Sequence, residues 1–353
     1  MSTNGSSSGV AGVRSGVPQG TVLAAVLFLI ILNNIHEDVN HCHVSSYADD
    51  TKVMHRVRTI VDAEEMQLDL ERIYEWAKKT NMEFNPDKFQ LIRYGKNQVL
   101  RDTTRYAASN GENIEESACV KDLGVWVSSD GGFDNHIERV VRSSSHMSGW
   151  ILRTFYARDH NTMKTLFRSL VLSKLDYCSP LINPSSVAMI SKIERVQRAF
   201  TRKIDGMRDL NYWERLEKLK MSSVERRRER FIVIYMYKIL CRLVPNPGIS
   251  FKRNERTGPH AAIFVPNQNL PGYIKRVRHR SFTTIGPKLF NALPCKIRSF
   301  IAPDGANNVV LSFKTVLDNF LTLVPDQPNI DSQTNRAAGS NSLVDQIKYI
   351  QPN

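Results

Sequence analysis

The sequence predicts an α+β fold, with a mixed antiparallel first third followed by a mainly helical remainder. Short β-prone arms flank tight turns as far as about residue 130, and apolar residues recur at helical spacing between 134 and 243. Beyond 258, Pro, Gly and Asn punctuate short segments. A chain of 353 residues with 41% hydrophobic and 24% charged residues can bury a sizeable core, so a fibrous or low-complexity protein is excluded.

Each element has a local signal. STNGSSSG at 2–9 reads as a loop. Thr21 is positioned to cap a helix carrying VLAAVLFLIIL, residues 22–32. That run has 11 residues where a membrane span needs ~20, and no basic segment precedes it, so it reads as a buried core helix. HVSSYADDTKVMHRV, residues 43–57, has the alternation of a hairpin with Asp49 and Asp50 at its turn.

VDAEEMQLDLERIYEWAKKTN then predicts a helix, with Asp62 and Glu65 as a capping box and Met66, Leu70, Ile73 and Ala77 on one stripe. A strand is expected over 89–94 and a strand pair over 119–127. Helices follow over 134–158, 162–175, 187–204, 222–243 and 312–324, and the polar tail from 325 reads as disordered. In the helix at 187–204, Ile190, Ile193, Val196, Phe200 and Ile204 share one face, and Lys192, Arg195, Arg198 and Arg202 share the other.

The formal net charge is +13, and residues 191–280 alone hold 22 Lys/Arg against 8 Asp/Glu. A basic surplus confined to one half favours a polyanionic partner. Lys192, Arg195, Arg198, Arg202, Arg226, Arg227 and Arg228 are the candidate phosphate contacts. Trp213, Tyr235 and Tyr237 can stack on bases, although a core role is the better reading for each. Five scattered cysteines without a C-x-x-C pair indicate neither a disulfide framework nor a structural zinc site, and suit a reduced, intracellular setting in nucleus or cytoplasm. His41, Cys42 and His43 alternate across a strand, which is poor chelation geometry.

Adjacent carboxylates at a hairpin turn offer oxygen ligands of the kind Mg²⁺ prefers, and two such ions can flank a phosphoryl transfer. Alone, Asp49-Asp50 is equally an ordinary turn sequence. The SGVPQG loop upstream, with Gly16 and Gly20 allowing close backbone approach and Pro18 stiffening it, opens a helix whose free N–H groups suit an anionic ligand.

SGVPQG entering an apolar helix, followed by YADD on a hairpin, resembles the palm of reverse transcriptases. The resemblance implies that Ser15, Gly16, Pro18, Gln19 and Gly20, with Tyr47 and Ala48, face template and incoming nucleotide. It also implies that Asp49 and Asp50 bind Mg²⁺ in a two-metal site. NMEFNPDKFQLIRYGKN is similar to the next palm motif, with Lys88 in the position that protonates pyrophosphate, and VKDLGVWVSSDGGFDNHI resembles the primer-grip hairpin, with Leu123 and Gly124 at its tip.

RTFYARDHNTMKTLFRSLVLSKLDYCSPLINPSS, IERVQRAFTRKIDGM and RHRSFTTIGPKLFNALPCKIR are similar to the thumb and C-terminal regions of jockey-like non-LTR retrotransposon enzymes. Together the motifs cover roughly residues 4–323 in order, far beyond a chance motif match. The implied organisation is a partial palm over 1–130, a thumb-like helical region over 131–184, a basic helical region over 185–324 and a tail over 325–353. RNA template, DNA primer and dNTPs are the implied partners, with no membrane.

The sequence also departs from that pattern. Ala24-Ala25 and Asn34 replace residues the family commonly has, none of them a metal ligand. The first acidic residue is Glu37, so the aspartate that the family carries upstream of the Gly-Pro-Gln-Gly loop is not in this sequence. With only Asp49 and Asp50 to hold two ions, the expectation is an inactive fragment, or a non-catalytic nucleic-acid-binding module using the basic helices at 190–243.

Overall fold

The computed structural model describes residues 2–3, 6–7, 20–184, 186–249, 281–300, 309–326, 341–347 and 350. The chain divides into two compact units, Met1–Gly124 and Val125–Asn353. The helical regions expected at 131–184 and 185–324 both fall in the second unit.

The first unit is mixed. Strands β1 (Ser2–Thr3) and β2 (Ser6–Ser7) pair antiparallel. Helix α1 (Val22–Asn33) starts where expected, with Thr21 Oγ1 accepting from Ala24 N at 3.2 Å. Strands β3 (His43–Tyr47) and β4 (Asp50–Met54) form an antiparallel hairpin. Helix α2 (Ile60–Lys79) packs its Ile73, Trp76 and Ala77 against Leu32, Ile35 and Val44. A neighbouring cluster joins Ala63, Leu70 and Tyr106. The short helix α3 (Gln98–Thr103) and strand β5 (Cys119–Asp122) complete the unit.

Three expectations change here. Helix α1 is not a buried core helix: Val22 is 88% exposed, and Leu23, Val26, Leu27, Leu29, Ile30 and Ile31 are also exposed. Its surface is apolar all round, so one packed stripe, with Ala24 and Leu32 buried, leaves the rest uncovered. The capping box of α2 uses Thr59 and Asp62, because Thr59 is the extended residue before the helix and Asp62 Oδ2 reaches back to Thr59 N at 2.9 Å. The strand expected over 89–94 reduces to a single bridge between Leu91 and Glu116. Arg93 holds that segment by side chain instead, donating to Thr104 Oγ1 and Thr104 O at 2.9 Å each.

In the second unit, β6 (Val125–Ser128) leads into α4 (Asp134–Thr154). A helical rod follows: α5 (His160–Leu166), a π-helical stretch Phe167–Leu172, and α6 (Ser173–Asp176). Helix α7 (Val187–Thr201) stacks Phe200 on Phe167 with ring centroids 4.6 Å apart. Ile193, Val196, Phe200 and Ile204 are buried, as the amphipathic pattern requires.

Helices α8 (Tyr212–Leu219) and α9 (Val224–Leu240) come next. Helix α9 meets α10 (Phe282–Ala292), α11 (Cys295–Arg298) and α12 (Val309–Leu321) in a second core. Tyr237 stacks on Phe313 at 3.7 Å and Tyr235 meets Phe282 edge-on, which gives both tyrosines core roles. The tail, expected to be disordered, has an ordered part. Asn341, Leu343 and Ile347 are buried around a short helix α13 (Leu343–Gln346), because Leu343 and Ile347 supply apolar surface to that core.

Buried and half-buried carboxylates organise this unit. Glu194 accepts from Tyr212 Oη and from Val224 N at 3.0 Å, and so caps the start of α9. Asp326 accepts from Ser223 N at 2.7 Å, and Glu229 accepts from Ser342 Oγ at 2.7 Å and Leu343 N at 2.8 Å.

Candidate functional site

The β3–β4 hairpin brings the acidic pair together. Its register sets Tyr47 opposite Asp50 and Ser46 opposite Thr51, so Ala48 and Asp49 alone form the turn. Ala48 has φ 52, the left-handed region that favours glycine. Holding an alanine there costs on the order of 1 kcal/mol, so the surrounding ladder over-determines the turn. Val44 is buried and Val53 packs on the same core, which anchors both arms. Ser46 Oγ and Thr51 Oγ1 lie 3.1 Å apart across the strands.

At the tip, Tyr47 is 70% exposed, and Ala48, Asp49 and Asp50 are exposed beside it. Among the described residues no cation pairs with either aspartate. Lys52, two residues on, pairs with Asp122 of β5.

The base of the hairpin is fixed by a buried carboxylate that no sequence motif singles out. Asp69 of α2 accepts from the backbone N–H groups of Asn40 (3.2 Å), His41 (2.7 Å) and Cys42 (2.7 Å) and from Arg72 Nη1 (2.7 Å). Burial pushes this carboxyl up, but the four donors outweigh it and hold it at about 2. The same arrangement acts on Cys42, whose thiol is pushed up to about 12 by burial and then by Asp69. Cys42 is therefore a neutral thiol rather than a metal-binding thiolate.

The other expected site residues are spread out. Ser15, Gly16, Pro18 and Gln19 lie outside the described residues, while Gly20 has φ 89 and enters α1 through Thr21. Lys88 is exposed at the end of a one-turn helix, Pro86–Lys88. Leu123 (φ 45) and Gly124 (φ 85) form a two-residue turn between β5 and β6 with both residues left-handed.

Of the basic residues, Arg195 and Arg202 are exposed, whereas Lys192 pairs with Glu138 at 2.6 Å and Arg198 is half-buried. Arg226 and Arg228 are not surface cations: they are 2% and 8% exposed. Arg226 donates to the carbonyls of Pro325 and Asn341, and Arg228 to those of Leu175 and Ile182. Arg227 pairs with Asp176 at 2.6 Å. The charge run at the start of α9 therefore stitches the second unit together, since guanidiniums can satisfy several carbonyls at once.

A different cationic surface lies on α4. Arg139, Arg142, His146, Trp150 and Arg153, with Lys174, line an open groove of about 870 Å³. Arg139 lies over the Trp126 ring at 4.1 Å, and Trp150 is 46% exposed. Phosphate-binding guanidiniums around an accessible aromatic plane are the chemistry of a nucleic-acid interface. The signal was present in the sequence, because residues 139, 142, 146, 150 and 153 fall at helical spacing on one face.

Comparison with known proteins gives a consistent frame. Residues 2–127 match the family model described as Reverse transcriptase (RNA-dependent DNA polymerase). The RNA-directed DNA polymerase from mobile element jockey of Drosophila melanogaster is 22% identical over 217 residues, which is 58% of this chain and 23% of the relative. Its counterpart from Drosophila funebris is 24% identical over the same extent. The match thus spans about a quarter of the length of these relatives. No solved structure matches the chain.

Proposed function

We propose a nucleotidyl-transfer role for this chain on one premise: its residues 2–127 are a reverse transcriptase domain, and the chain is of the jockey-like non-LTR retrotransposon kind. RNA-templated DNA synthesis is the reaction, with RNA template, DNA primer and dNTPs as substrates. The observation that carries it is the strained two-residue turn, which exposes Asp49 and Asp50 side by side with no competing cation among the described residues.

Hard oxygen donors in that setting fit Mg²⁺, and Asp49 and Asp50 would hold it. Bound there, the ion would neutralise charge that builds on the phosphoryl group. Tyr47 and Ala48 line the approach to the pair, Gly20 opens the helix that follows the template-facing loop, and Leu123-Gly124 grips the primer. Lys88 supplies a proton to the leaving pyrophosphate.

Primer extension on an RNA template with Mg²⁺ tests the assignment. With the family's upstream aspartate not in this sequence, incorporation by this chain alone is expected to be low, and Asp49→Ala/Asp50→Ala is expected to lower it at least ~100-fold further. Equal incorporation by the two proteins removes the role.

The α4 groove favours a second reading, in which the chain also binds single-stranded nucleic acid independently of the aspartates. Binding of a labelled RNA oligomer should weaken steeply with salt and ignore loss of Asp49 and Asp50. Arg142→Ala/Arg153→Ala should flatten the salt slope by roughly 0.7 for each phosphate that is no longer neutralised. A Trp150→Ala chain should bind about ten-fold or more weakly, as expected when a stacking plane is removed. Salt-independent binding, or binding blind to all three substitutions, would count against this surface.

A further inference from the structure

A second constellation in the first unit is separate from the acidic turn. His55 follows β4, and Asp62 and Glu65 stand three residues apart in the first turns of α2. One ligand atom from each of the three side chains lies within 4.8 Å of the others.

The tautomer of His55 gives the cluster its meaning. His55 Nδ1 lies 3.0 Å from the carbonyl oxygen of His41. A carbonyl only accepts, so Nδ1 carries the hydrogen and, in the neutral ring, Nε2 presents a lone pair. That Nε2 is shielded from solvent and has no hydrogen-bond partner among the described residues. It faces Glu65 Oε2 at 3.6 Å, while His41 Nδ1 stands 3.6 Å from the other oxygen, Oε1.

A lone pair facing a carboxylate is repulsive unless positive charge lies between them. A proton would draw the atoms to about 2.7–2.9 Å, the length of a charge-assisted hydrogen bond. The observed 3.6 Å is longer than that. It is close to the ~3.4 Å between two ligand atoms that each sit ~2.1 Å from a tetrahedral ion.

We infer that His55, Asp62 and Glu65 form a binding site for a borderline transition-metal cation, with Zn²⁺ the best match. Imidazole nitrogen with carboxylate oxygens is a Zn²⁺ donor set, whereas Mg²⁺ takes oxygen ligands. Asp62 Oδ2 is occupied with the backbone N–H groups of Arg58 and Thr59, at 2.6 and 2.9 Å, which leaves its other oxygen for the ion. The Nδ1–H···O=C bond to His41 orients the ring as outer partners of metal-bound histidines do. Three protein ligands leave room for water at the remaining position. The ion would clip the segment after β4 to the start of α2, and so brace the arm that ends in the acidic turn.

The test is calorimetric titration of Zn²⁺, and separately of Mg²⁺, into the full chain after chelator treatment, with visible absorption of Co²⁺ as a report on coordination. One Zn²⁺ per chain is expected, with tetrahedral-type Co²⁺ bands and no competition from Mg²⁺. His55→Ala and Glu65→Gln should each weaken Zn²⁺ binding roughly ten-fold or more. Glu65 is partly exposed, so Glu65→Gln is expected to keep the circular dichroism of the unaltered chain. Zn²⁺ binding unchanged in both variants, displacement by Mg²⁺, or no binding at a large molar excess would each overturn the site.

Discussion

Asp69→Asn is expected to destabilise the first unit by about 2–4 kcal/mol, the range for removing an ionised acceptor from buried donors. One carboxylate serves three backbone N–H groups and Arg72, and an amide has a single acceptor oxygen for them. Its NH₂ group would face donors, leaving backbone N–H groups without partners. The loss should be local, so amide hydrogen exchange at His41 and Cys42 should accelerate well before the second unit opens.

The sign of the pH dependence follows. The folded carboxyl titrates at about 2 against 3.8 ordinarily, so its stabilisation is fully present above pH 4 and is lost as pH falls toward 2. That difference corresponds to about 2.5 kcal/mol. Urea midpoints measured between pH 5 and 2 should fall steeply for the unaltered chain and less steeply for Asp69→Asn. Parallel curves would mean that Asp69 does not hold the base of the hairpin.

The second unit should respond in the opposite direction, losing stability between pH 5 and 8. Glu194 is pushed up to about 7 by burial, against the pull of Tyr212, Val224 and Glu225 as donors. Burial, and then the charge of Glu225, push Glu229 up to about 8. Both folded values lie above 4.5, so the protonated forms favour the fold, and the cost of ionisation accrues as pH rises from 4.5 through those values.

The Glu194 contribution alone is on the order of 3 kcal/mol. Glu194→Gln/Glu229→Gln should flatten the profile and raise the urea midpoint at pH 8. Stability that stays level or rises from pH 5 to 8 in the unaltered chain would sink this account.

How far the sequence reveals this molecule depends on whether local or distant groups decide a position. The YADD hairpin was legible because alternation and turn chemistry are local, although the turn falls one residue earlier than expected, at Ala48-Asp49, with Asp50 opening β4. Helix α7 was legible for the same reason, its apolar stripe being continuous. Leu91 looked like strand interior, yet its neighbour Arg93 turns back on the carbonyls of the following helix, a choice that no window of neighbouring residues encodes.

Asp69 sits beside the Leu70 stripe and reads as a solvated helix residue until the loop before β3 is folded onto it. Arg226 and Arg228 illustrate the same limit from the charged side. A run of cations looks like surface, but the carbonyls that accept from them lie at least 46 residues away in sequence. The groove on α4 was within reach, since its arginines and Trp150 share one face. The denser charge of 191–280 masks it in the sequence.

The π-helical stretch Phe167–Leu172 has a consequence for how this lineage can change length. A π turn accommodates one more residue than the α turn it interrupts. Deleting one residue there would let the helix close to ordinary pitch while the segments on either side keep their facing. Anywhere else in the same rod, such a deletion would rotate everything downstream by about 100°. Phe167–Leu172 is thus an expansion joint, the place where single-residue insertions and deletions among relatives should collect.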